Sequence, residues 1–131
     1  MAFILVIDDD PNVRNVIRAH LEPAGHQVRD AGDGIKGLQA FIDERPDLVL
    51  CDLFMPEKCG TQTIRDMLRR DPCVPVIAIS GGASWDHSSS RLYLSAAECL
   101  GTFAVLPKPF TAAALLAAVR DGLRIAASAG R

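Results

Sequence analysis

Four short stretches of this chain are almost wholly apolar: AFILVI at 2–7, DLVLC at 47–51, PVIAI at 75–79 and TFAVL at 102–106. Such runs, with no polar alternation, are what a parallel strand covered on both faces requires. HQVRDA at 26–31 mixes polar and apolar positions, and so predicts a fifth strand at an edge of the sheet. The segments between them carry the helical period. Val13, Val16, Ile17 and Leu21 fall on one face of a first helix, and Ile35, Leu38, Phe41 and Ile42 on one face of a second. Ile64, Met67 and Leu68 mark a third helix, and Tyr93, Ala96, Ala97 and Leu100 a fourth, with Gly101 placed to end it. Leu115, Val119 and Leu123 mark the last. Five strands alternating with five helices predict an α/β fold with right-handed crossovers.

Composition narrows the picture. At 131 residues the chain is sized for one domain with its own hydrophobic core. Residues 1–131 are expected to be that single domain, with no output domain, since only IAASAGR follows the last helical pattern. A formal charge of −2 and the lack of any basic run argue against a dedicated nucleic-acid or membrane surface. No apolar stretch approaches the roughly 20 residues that span a bilayer. The opening MAFILVI is too short for a secretory signal and runs straight into Asp8, so a soluble, cytoplasmic protein is expected. Cys51, Cys59, Cys73 and Cys99 form no C-x-x-C pair and read as ordinary thiols of a reducing compartment. His20, His26 and His87 have no metal-ligand spacing.

In an open doubly wound sheet, ligands bind beyond the carboxyl ends of the strands. Asp8, Asp9 and Asp10 follow the first strand, Asp52 the third, Ser80 the fourth and Lys108 the fifth. Crowded carboxylates are costly to ionise together unless a cation relieves them. Hard oxygen donors of this kind suit Mg²⁺, and a lysine opposite offers countercharge for phosphoryl oxygens. An aspartate can itself be the nucleophile, forming an aspartyl-phosphate.

The segments VIDDDPNVR, PDLVLCDLFMPEKCG, VPVIAISGG and VLPKPF, in this order, resemble the signature segments of the response-regulator receiver domain of two-component signalling. The resemblance covers essentially the whole chain. It implies a flavodoxin-like, three-layer fold whose five-stranded parallel sheet has the order 2-1-3-4-5. It implies further that Asp52 is the phosphoacceptor, that Asp8, Asp9, Asp52 and the backbone carbonyl of Phe54 hold Mg²⁺, and that Ser80 and Lys108 contact the phosphoryl group. The Lys108-Pro109 bond is then expected to be cis. The implied donor is a histidine kinase or a histidine phosphotransfer protein. The implied output is a downstream protein docked on the face of helix 4, strand 5 and helix 5, by a monomer or weak homodimer. The protein would catalyse only its own phosphorylation and dephosphorylation.

Some positions depart from the family's commoner pattern. Val105 stands where an aromatic switch residue is usual, and the longer Ser80 to Lys108 segment, with Gly81, Gly82, Trp85 and Tyr93, is expected to take over the relay. Phe54 and Gly82 occupy two positions that tune phosphoaspartate hydrolysis, and neither side chain can hydrogen-bond a water, so a long-lived phosphoryl group is expected. Met55 and Pro56 match the family's turn after the phosphoacceptor.

Competing readings exist. Asp8-x-Asp10 resembles the nucleophile and acid of haloacid-dehalogenase-like phosphohydrolases, with Asp8 as nucleophile. The receiver fold can also serve as a phosphorylation-independent docking adaptor. GDGIKG at 32–37 satisfies the dinucleotide-binding pattern, but Asp33 puts an anion where pyrophosphate would lie and reads better as a helix N-cap. Asp10 reads as the N-cap of the first helix, with Pro11 at its first position. Arg14, Asn15 and Arg18 are expected on that helix's outer, partner-facing side.

Overall fold

The apolar runs become five strands: β1 (Phe3–Ile7), β2 (Gln27–Ala31), β3 (Leu48–Asp52), β4 (Val76–Ser80) and β5 (Ala104–Pro107). The structure, a computed structural model, describes residues 2–53, 60–80 and 101–128. Its helices are α1 (Pro11–Leu21), α2 (Gly34–Asp43), α3 (Gly60–Arg70) and α4 (Ala112–Ser128), the last being the fifth of the predicted helices. The predicted helix around Tyr93 and Leu100 lies outside the described residues. So do Phe54, Met55, Pro56, Cys59, Gly81, Gly82, Trp85, His87 and Cys99.

Among the described residues the strands form one sheet in the order β2-β1-β3-β4-β5, with every pairing parallel. Because successive side chains of a strand point to opposite faces, β1 divides between two cores. Leu5 and Ile7 join Phe41, Val49, Ile64 and Met67 under α2 and α3. Ile4 and Val6 join Ile17, Leu21, Leu48, Leu50, Leu115 and Val119 under α1 and α4. Near-continuous apolar strands are the sequence record of this two-sided covering. β2, polar on alternate positions, is one edge of this sheet and β5 the other.

Helix starts follow the predicted chemistry. Asp10 accepts from Asn12 N at 2.9 Å with Pro11 at the head of α1, and Asp33 accepts from Lys36 N at 2.8 Å at the head of α2. Gly101 sits at φ +90°, a left-handed conformation that suits glycine. Three apolar positions assigned to buried helix faces are instead exposed: Val16 at 50%, Ile35 at 59% and Ile42 at 46%. α2 turns Gly37, Leu38, Ala40 and Phe41 inward, so Ile35 and Ile42 fall beside the stripe rather than within it.

Phe41 is the largest fully buried side chain and stands in the α2/α3 core. Phe41→Ala is expected to lower stability by about 3–5 kcal/mol, since it removes apolar contact and leaves a cavity the sheet cannot close. Chemical denaturation of the two proteins measures it.

Candidate functional site

Register brings the predicted residues together. Ile7 pairs with Cys51, which sets Asp8 beside Asp52 at the ends of the two central strands. Asp52 pairs with Ile79 and Ser80 with Pro107, so the hydroxyl and Lys108 come from the next strand ends. Lys108 N donates to Ser80 O at 2.7 Å, and the Lys108-Pro109 bond is cis as expected.

Asp8 and Ser80 are fully buried, and Asp52 is 2% exposed. Asp9 is exposed. Carboxylate oxygens of Asp8, Asp9 and Asp52 lie within 4.8 Å of one another. Lys108 faces two of them, with Nζ 3.3 Å from Asp52 Oδ2, to which it donates, and 3.1 Å from Asp8 Oδ2. The second contact is an ion pair; beyond it, Asp8 Oδ2, like Ser80 Oγ, is buried and meets no hydrogen-bond partner among the described residues.

Burial raises the Asp8 carboxyl above its usual range, although the Asp10 N–H and the Lys108 ammonium pull the other way. For Lys108, burial alone would lower the ammonium, but Asp52 and Asp8 outweigh it and hold it above its ordinary value. One ammonium among three carboxylates leaves an excess of negative charge in low dielectric. Three hard oxygen donors, one of them a buried carboxylate oxygen met only by the shared Lys108 ammonium among the described residues, fit a Mg²⁺ ion.

Lys108→Met is therefore expected to cost about 3–5 kcal/mol in chelator, because Asp8 and Asp52 lose their countercharge. The same change should tighten Mg²⁺ binding, since the ammonium and the metal compete for the same oxygens. Denaturation with and without Mg²⁺, together with calorimetric titration, reads both effects.

Other sequence readings resolve as follows. Asp10 spends its side chain on the head of α1, which leaves the phosphohydrolase reading without its acid. GDGIKG follows the edge strand, and the Asp33 carboxylate occupies the N-terminus of α2 where a phosphate would sit. Val105 is partly buried against the α2/α3 core. Cys51 is a buried free thiol and Cys73 an exposed one. His26 Nδ1 accepts from Ala2 N at 3.3 Å, away from the acids, and burial lowers its imidazole below the ordinary range.

Arg14 and Arg18 depart from their predicted place. Both turn from α1 toward β2 and share Asp30, Arg14 Nε at 3.2 Å and Arg18 Nη2 at 3.4 Å. Arg14 Nη1 also donates to Asp8 O at 2.7 Å, and Arg18 Nη1 to Val28 O at 3.0 Å. The available signal was an acid in the middle of a polar edge strand with two arginines one turn apart on the preceding helix.

The fold and this oxygen-rich hollow define the class first: a flavodoxin-like α/β protein with its site at the carboxyl ends of the central strands. The family model described as response regulator receiver domain matches residues 4–120, and the chain belongs to that family. It is therefore a signalling module on the phosphoacceptor side of two-component systems. It is 35% identical over 127 residues to the DNA-binding dual master transcriptional regulator RpaA of Synechocystis, covering 95% of this chain and 50% of that protein. It is 35% identical over 121 residues to the response regulator MprA of a Mycobacterium species, covering 92% and 50%. A receiver domain protein from Clostridium thermocellum superposes with a TM-score of 0.82 at 31% identity, over 95% of each chain. A CheY-like receiver from Methanospirillum hungatei superposes at 0.88 over 98% of each, and at 24% identity this shows the shared fold. The chain spans about half the length of the curated relatives it matches. No helix among the described residues is long and apolar enough to cross a membrane.

Proposed function

We propose that Asp52 accepts a phosphoryl group from a phosphohistidine of a histidine kinase or histidine phosphotransfer protein. The observation that carries this reading is a carboxylate 2% exposed at the end of a central strand, with a lysine ammonium 3.3 Å away and two further acids beside it. An Asp52 oxygen attacks phosphorus in line. The P–O bond forms as the P–N bond breaks, and the departing imidazole keeps the electron pair. Little covalent help is needed, so positioning and charge supply most of the acceleration.

Asp8, Asp9 and Asp52 would hold Mg²⁺, with the Phe54 carbonyl, which lies outside the described residues, added by family resemblance. The bound ion would neutralise charge that develops on the phosphoryl oxygens. Lys108, already paired with Asp52, pairs with one phosphoryl oxygen. Ser80 offers a buried hydroxyl with no hydrogen-bond partner among the described residues, ready to donate to another. New charge and acceptor oxygens then shift the segment rooted at Ser80 and the surface near β5 and α4, where a downstream protein docks. The cycle of phosphorylation and dephosphorylation on its own aspartate is the whole of the chemistry proposed. The DNA binding named for RpaA stays with that protein.

Intact-mass measurement after exposure to a small acyl phosphate tests this. One phosphoryl adduct is expected with Mg²⁺ and none in chelator. Equal labelling in chelator would remove the metal from the reading, and no labelling in either would favour the docking adaptor.

A further inference from the structure

We infer that Arg14 is a positioning residue for the metal-holding acids, fixing the peptide that joins Asp8 to Asp9 and thereby the spacing of their carboxylates. The inference rests on the reading of Asp8 and Asp9 as metal ligands. Arg14 Nη1 donates to the Asp8 carbonyl oxygen at 2.7 Å, a length typical of a charge-assisted bond. That oxygen belongs to the planar Asp8-Asp9 peptide. Holding it sets the direction in which the chain leaves Asp8 and the point from which the Asp9 side chain emerges.

The guanidinium is itself anchored. Nε donates to Asp30 Oδ2 at 3.2 Å, and the side chain is only 21% exposed. Asp30 lies on β2, whose Ala31 O accepts from Asp8 N at 3.1 Å. Asp8 is thus held at four points: its N–H by Ala31, its carbonyl by Arg14, its Oδ1 by Asp10 N at 2.9 Å, and its Oδ2 by the Lys108 ammonium at 3.1 Å. Two of these contacts come from another residue's side chain, and the Arg14 bond is the one a substitution removes without stripping the carboxylates of the Lys108 countercharge.

Two physical contrasts separate positioning from alternatives. Arg18 makes the same kinds of contact from the next turn of α1, to Val28 O and Asp30, yet grips no peptide that joins the acids. A general structural role predicts equal consequences for both arginines. A role as charge alone predicts the opposite sign, because deleting a nearby cation should tighten the binding of a divalent metal.

The experiment is a calorimetric Mg²⁺ titration of the wild type, Arg14→Met, Arg18→Met and Asp9→Asn, with the thermal midpoint and Asp10 amide hydrogen exchange of each metal-free protein. Arg14→Met is expected to weaken Mg²⁺ binding about tenfold, the usual scale for a partner that orients metal ligands, and to speed exchange at Asp10. Arg18→Met should lose comparable thermal stability and keep wild-type Mg²⁺ affinity. Unchanged or tighter binding in Arg14→Met, or equal weakening in Arg18→Met, overturns the proposal. Should Arg14→Met not fold, Arg14→Lys serves. It keeps a cation beside Asp30 but cannot reach both carboxylate and carbonyl, so wild-type affinity in it overturns the proposal equally. Lost binding in Asp9→Asn with none lost in Arg14→Met removes the positioning role alone. Wild-type binding in Asp9→Asn removes the metal-ligand reading and the positioning role with it.

Discussion

Asp52→Asn is expected to fold as the wild type and to take up no phosphoryl group from an acyl phosphate at saturating Mg²⁺. The amide is nearly isosteric, and it removes one of three crowded negative charges, so the variant should be at least as stable as the wild type in chelator. What it lacks is a nucleophilic oxygen, so the reaction itself is lost rather than slowed. Intact mass before and after the donor reads the result directly. Asp8→Asn makes the informative comparison: it should bind Mg²⁺ weakly and label slowly, yet still label. Adducts on Asp52→Asn together with none on Asp8→Asn would move the nucleophile to Asp8 and sink the main assignment.

The second large effect is expected at Gly60, the first residue of α3. A Cβ there would overlap the carbonyl oxygen of Asp52 and lie 2.6 Å from the Leu53 Cα. Both obstacles are backbone of the strand end that carries the proposed phosphoacceptor, and neither can rotate away. Gly60→Ala should cost about 3 kcal/mol or more, at or beyond the upper end of ordinary overpacking, and the folded fraction should bind Mg²⁺ poorly. Gly37→Ala is the graded control. Its Cβ would meet the Ile7 side chain at 2.5 Å, and a side chain can repack, so about 1–3 kcal/mol is expected. Denaturant titration ranks the two, and a Gly60→Ala protein within about 0.5 kcal/mol of wild type would show that the strand end yields.

Much of this was legible in the residues. The central strands announce themselves because a strand buried on both faces has almost no polar position to blur it. The residues that close those strands are then a short list, from which Asp8, Asp52, Ser80 and Lys108 follow. Where the reading strayed, tertiary geometry decided. Val16, Ile35 and Ile42 share the helical period of truly buried neighbours, yet they fall beside the arc that packing covers. Arg14 and Arg18 look like any solvated helix face until β2 docks and brings Asp30 beside them. Arg14 also acts on a carbonyl oxygen, a group every residue has and no sequence pattern marks. The strand order came from family resemblance, since the apolar runs alone do not say which central strand neighbours which.

The backbone bond from Lys108 N to Ser80 O carries one more consequence. It ties the residue that bears the ammonium to the residue that bears the buried hydroxyl, across two strands that end side by side. Neither backbone can shift without loading the other. On the proposed reading, a phosphoryl group on Asp52 would meet a caliper whose two arms are tied at the base, so that a pull on one arm is felt by the other.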